Sequence, residues 1–299
     1  DQGSIMTSAS ENDQQFIQEI QNGHCFFYED EVDGYSDDAL IAFANRGEYL
    51  IGYLPKNRLS HAVLKAVIEN DQWNEALKYF TSHDTPHYKE MAILAVSKSW
   101  TQLKFVEPDV VDAEFYTKTI AQNPKALYVY LVRHPTLLEQ LIKPQELEDK
   151  MNTGALNRAA VIGGVVRGKI KTTLISDAYL QKSLLELPHL FAEALQSEFK
   201  PLAFELVAQG GWPSAYADQK PSCIKDAVKG FKASGAYLAA WHQTYILNCG
   251  IEKAVNAMKG PRTLGLLETL YTKEEIKPYL KGPQGNKVKG KWLEDEIGL

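Results

Sequence analysis

The chain has 299 residues, 44% of them hydrophobic and 23% charged, a balance that builds a core and excludes a disordered chain. Its formal net charge of -6 argues against a general nucleic-acid-binding or anionic-membrane-binding surface. No apolar run reaches the roughly 18 residues of a spanning helix. The three cysteines, Cys25, Cys223 and Cys249, stand far apart without CxxC spacing, so no disulfide framework or thiolate zinc site is indicated and a reducing cytoplasm is expected.

Residues 1–5 precede Met6 and read as a vector-derived remnant, with 1–11 an unstructured start. Helical spacing of Phe16, Ile17 and Ile20, closed by Asn22-Gly23, predicts a short helix within a segment 12–35. The run that follows holds Glu29, Asp30, Glu31, Asp33, Asp37 and Asp38 without a base, and six like charges so close predict an exposed acidic loop that attracts basic surfaces. It is not an EF-hand, because the twelfth position counted from Glu29 is Leu40, where calcium needs a bidentate carboxylate.

Beyond this loop, apolar residues recur at 0, +7 and +10. Phe43, Leu50 and Tyr53 set the pattern, Val96, Leu103 and Val106 repeat it, and so do Ile120, Leu127 and Tyr130. Later copies are Leu184, Phe191 and Ala194, Phe231, Leu238 and Trp241, and Ala257, Leu264 and Leu267. A copy at Val67 fits once Asp71-Gln72-Trp73 is taken as an insertion. Pro124, Pro188 and Pro261 share the +4 position, where proline suits the first turn of a second helix. The spacing predicts an all-α fold, an α-solenoid of helix-turn-helix units about 25 residues long. One array is expected over 36–144 and another over 177–280, with an irregular junction at 145–176. Within that junction, 159–175 is open to being a divergent repeat, a junction or a short hairpin, since Gly163-Gly164 and Gly168 interrupt its β-branched residues.

The wording of these units, Ala66-Val67-Ile68-Glu69-Asn70 followed by Ala76-Leu77-Lys78-Tyr79-Phe80, or Asn123-Pro124-Lys125-Ala126-Leu127-Tyr128-Val129-Tyr130, resembles short two-helix tandem repeats of bacterial and phage proteins. The resemblance covers about residues 36–270 by spacing. It implies a binding scaffold, in its specific form an effector or inhibitor that meets a host protein in the host cytosol, and it brings no catalytic residue with it.

Formal catalytic motifs lack their context. Gly163-Gly164-Val165-Val166-Arg167-Gly168-Lys169 matches the phosphate-loop pattern, but Ile170 stands where a hydroxyl should reach magnesium. Nucleotide chemistry at 163–169 is therefore kept only as an alternative. His83 and His87 are four apart across Pro86, which breaks the helix that would align them as ligands. No GxSxG elbow or Cys-His pair is present, so no catalysis, metal or cofactor is called for. The segment 281–299 reads as a flexible basic loop, with Lys287, Lys289 and Lys291 near its end, followed by a cap built on Trp292, Leu293 and Ile297. The expectation is a non-catalytic protein-interaction scaffold whose partner carries a basic surface, with Glu29, Asp30, Glu31, Asp33, Asp37, Asp38, Lys287, Lys289 and Lys291 as partner-binding residues. Its rival is nucleic-acid binding through the lysine segment, which the missing interleaved aromatics disfavour.

Overall fold

The structure, a computed structural model, describes residues 11–23, 34–47 and 54–298. Every regular element among them is helical and no strand is present, so the fold is all-α. The chain divides into two compact units, Asp1–Lys143 and Pro144–Leu299.

The first unit is a row of helices whose starts recur at nearly constant spacing. After α1 (Glu11–Gln21) come α2 (Asp37–Asn45), α3 (His61–Glu69), α4 (Tyr88–Lys98) and α5 (Ala113–Gln122), then α6 (Leu127–Arg133) and α7 (Pro135–Leu141). The first five pack in succession, each on its neighbour. The start signal is a side chain that accepts a third-residue amide. Ser36 takes Ala39 N at 3.1 Å, Ser60 takes Val63 N at 3.3 Å and Asp112 takes Phe115 N at 2.9 Å, which removes one unpaired donor from each helix end. Leu40 and Phe43, Leu64 and Ile68, Ala92 and Val96, and Phe115 form the buried stripe facing the neighbours.

The second helices expected here are shorter than the sequence predicts. Ala76–Tyr79, Trp100–Phe105 and Pro124–Ala126 are single 3-10 segments, packed in order against one another. The anchors Leu103, Val106, Leu127 and Tyr130 are buried. Pro108 and Pro124 restrict the backbone beside these segments, so the short connections accommodate a tight turn.

In the second unit, α8 (Pro144–Asn152), α9 (Arg158–Val166), α10 (Asp177–Glu186), α11 (Pro188–Ala194) and α12 (Lys200–Ala208) precede α13 (Ile224–Ala233) and the long α14 (Ala236–Asn248). Then follow α15 (Ile251–Met258), α16 (Leu264–Leu270), α17 (Lys273–Ile276) and α18 (Gly282–Ile297). α14 packs on α11, α12, α13 and α15. Its Trp241 stacks on Phe191 with ring centroids 3.8 Å apart, and Trp212 meets Trp241 and His242 edge-on.

One reading left open by the sequence is decided, and one expectation changes. The glycine-rich stretch near 159–175 is helical, in α9 and a 3-10 turn at Thr172–Leu174, and its glycines close the helix. Gly168, at φ +71, donates to Val165 O at 3.0 Å while Lys169 N donates to Gly164 O at 2.8 Å, the paired bonds of a Schellman end. The lysine segment is no loop either. Residues 282–297 form one helix that buries Gly285, Val288 and Trp292, because this apolar face joins the core of Leu264, Leu267, Ile276 and Leu280 and outweighs the poor helix propensity of its glycines. Of the marker prolines, Pro188 opens α11 and Pro124 opens the 3-10 turn that runs into α6. Pro261 lies in the turn ahead of α16, spanned by the bond from Leu264 N to Gly260 O at 2.9 Å.

Several polar cross-links between elements have similar separations. Asn70 to Asn45, Leu77 to Gln102, Ser82 to Glu107, Lys89 to Glu114 and Arg158 to Ser183 all span 25 residues. Arg167 to Glu193 spans 26 and Tyr179 to Asn152 spans 27.

Candidate functional site

Of the four successive starts α2 to α5, that of α4 departs from the capping pattern. At α4 the cap position is His87, which adopts the left-handed region at φ 57, ψ 30 and makes no side-chain cap bond. A bulky residue is uncommon there and costs on the order of 1 kcal/mol. Its ring lies edge-on to that of His61, with centroids 5.2 Å apart, and His61 Nε2 is 2.9 Å from Glu90 Oε1. The hydrogen bond to His61 holds the Glu90 carboxyl below the usual range.

A groove of about 650 Å³ opens beside this start, lined by Thr85, His87, Tyr88, Ile93, Val110 and Lys118 among others. Its floor is apolar and its rim is charged. Lys89 Nζ donates to Asp112 Oδ2 and Glu114 Oε2, each at 2.8 Å, and Lys118 Nζ donates to Glu114 Oε1 at 2.8 Å. These bonds raise the Lys89 pKa and lower those of Asp112 and Glu114. The 81–87 loop on one side is fastened by Glu107, which accepts both the Ser82 amide, at 2.9 Å, and the Ser82 hydroxyl. Burial raises the Tyr88 phenol, whose oxygen accepts from Glu107 N at 3.3 Å. The arrangement sets charged groups beside apolar surface. Among the described residues no three His, Cys, Asp or Glu side chains are grouped to hold a metal ion.

The opposite ends of α2 and α3 carry a second feature. The insertion at 71–73 forms a turn tied to buried Asp71, which accepts Trp73 N at 3.0 Å and both Glu75 N and Ala76 N at 2.8 Å. Lys98 Nζ donates to Ile68 O and Asp71 O at 3.1 and 2.5 Å. The turn holds Trp73 with 73% of its surface exposed.

The residues singled out by sequence are not brought together. Glu29, Asp30, Glu31 and Asp33 lie outside the described residues. Asp37 and Asp38 occupy the first turn of α2, where negative charge complements the helix dipole, and Asp37 lies 3.6 Å from Arg58. Lys287, Lys289 and Lys291 are exposed along α18. Lys169 follows the end of a helix, whereas a phosphate loop needs amides at a helix start. His87 aligns with His61, not His83. Sequence reasoning missed this pair because 26 residues separate the two rings, and only the recurring helix starts at 61 and 88 carried a signal. No protein family, curated protein or solved structure matches the chain.

Proposed function

We propose that the chain is a non-catalytic protein-interaction scaffold of stacked helical units, and that the groove at the start of α4 receives an extended segment of a partner protein. The observation that carries this reading is the left-handed, uncapped His87 beside an apolar-floored groove, in a row where Ser36, Ser60 and Asp112 cap the neighbouring helices. Backbone strain retained at an open groove is characteristic of recognition sites. A partner with basic side chains fits best, since Glu90 and Glu114 line the groove and Asp37 and Asp38 add exposed acids at the start of α2. The resemblance to bacterial and phage tandem repeats supports the scaffold role, with an effector or inhibitor of a host protein as its specific form.

Selection of a random peptide library on the immobilised protein tests the proposal. Lysine- or arginine-containing peptides should be enriched, and Ile93→Asp and His87→Ser should each weaken their binding at least tenfold. His87→Ser should meanwhile stabilise the fold by about 1 kcal/mol, by restoring a cap. Enriched peptides that bind both variants as tightly as the parent would refute the site.

A further inference from the structure

α18 has two faces, and the fold uses one of them. Gly285, Val288 and Trp292 are buried, and Trp292 Nε1 donates to Glu268 Oε1 at 2.5 Å. On the other side stand Asn286, Gly290, Leu293 and Ile297, all exposed. Their 4-3-4 spacing is that of the a/d seam of a coiled coil. Leu293 and Ile297 are each 59% exposed, and a Cβ added to Gly290 would meet nothing within 4 Å. Lys287 and Glu294 flank the seam on one side, at e positions, and Lys289 and Glu296 flank it on the other, at g positions. The charges also run against the helix dipole, with lysines in the first part and Glu294, Asp295 and Glu296 in the last turn.

We propose that this face pairs with the same face of a second copy of the chain, as an antiparallel two-helix coil about a two-fold axis. One register satisfies every layer. Leu293 of each copy fills the space over Gly290 of the other, and Ile297 lies over Asn286. In an antiparallel coil e positions meet e and g positions meet g, so the same register sets Lys287 against Glu294 and Lys289 against Glu296, each twice by symmetry. The last-turn acids of one helix then lie beside the lysines of the other, which offsets the unfavourable dipole. A parallel pair would set Gly290 against Gly290, leave a gap, and match only Lys289 with Glu294. The seam spans less than two full heptads, so the dimer is a weak one, below the area of stable interfaces.

Sedimentation equilibrium over a broad concentration series tests this directly. The wild type should show reversible monomer-dimer behaviour, and Leu293→Asp should be monomeric throughout with an unchanged thermal melt. Lys289→Glu and Glu296→Lys should each dimerise at least tenfold more weakly, because each brings like charges together in its own homodimer. An equimolar mixture of the two should recover association, since the antiparallel register pairs the glutamate introduced at position 289 of one with the lysine introduced at position 296 of the other. A parallel register would instead set that introduced glutamate against Glu294. The proposal fails if the wild type stays monomeric, if the dimer survives Leu293→Asp, or if the mixture associates no better than its components. A monomer that instead binds heparin through Lys287, Lys289 and Lys291 would assign the helix to a polyanion and overturn the second-copy reading.

Discussion

His242 gives the second unit a pH-dependent stability. It is 1% exposed, and neither ring nitrogen has a hydrogen-bond partner. Gly230 lies so close that a Cβ there would fall 2.1 Å from the imidazole Cε1, and Trp212 covers the ring edge-on at 4.9 Å between centroids. Burial alone, with no charged neighbour contributing, lowers its pKa below the ordinary 6.5. The sign follows from linkage. Above pH 6.5 the ring is neutral in both states and contributes no slope. As pH falls below 6.5 the unfolded chain takes up a proton that the folded one refuses, so stability drops by up to about 1.4 kcal/mol per pH unit until the folded pKa is reached. His242→Met removes the titration and both unpartnered nitrogens, at some cost in rotamer freedom, for a net gain of about 1 kcal/mol at pH 7. Urea denaturation between about pH 7 and 5, followed by tryptophan fluorescence, should show a falling midpoint in the wild type. The variant should be flatter by about one proton, leaving the contribution of His134, whose pKa burial also lowers. An equal slope in both proteins would refute the assignment.

Gly230→Ala should cost about 3 kcal/mol, because the added carbon overlaps a buried ring that cannot move away. Gly265→Ala, where a Cβ meets nothing, should instead stabilise by about 0.5 kcal/mol, and thermal melts of the pair would distinguish close packing from a general glycine effect. Asp71→Ala removes the acceptor of three amides and should lower stability by about 3 kcal/mol in urea titrations. A loss under 1 kcal/mol would show that water replaces the carboxylate at the turn.

Sequence revealed what is local. The anchors Leu103, Tyr130, Phe191, Trp241 and Leu267, chosen by spacing, are all buried. The misreadings have a common physical source, since glycine has several uses that spacing does not separate. Gly163-Gly164 looked like a break in a strand-like run, yet Gly164 sits where a Cβ would lie 2.7 Å from Ile170 Cδ1, so it lets the chain fold back over the end of α9. Gly285 gives Leu280 a similarly close approach, which docks a helix where composition suggested a loop. The groove was illegible for another reason. His61 and Glu90, or Lys89 and Glu114, form no motif at separations of 29 and 25 residues, and meet only because α3, α4 and α5 pack in succession.

That dependence bears on where recognition is placed. Any α-helix starts with amides that lack an intrahelical acceptor. At α2, α3 and α5 the cap side chain takes one of them. At α4 His87 takes none, although a serine in extended backbone would suffice there as it does at Ser36 and Ser60. In the proposed complex, the first-turn amides of α4 bond the carbonyl oxygens of the extended partner segment. Ile93 and Val110 line the same groove for apolar side chains, and the ionised Glu90 and Glu114 lie beside it for basic ones. In the proposed complex, backbone donors supply affinity without sequence preference, and the apolar floor with Glu90 and Glu114 on its mixed-charge rim supplies the preference. Capping α4 should therefore weaken all bound peptides alike, whereas Ile93→Asp should change which peptides are selected.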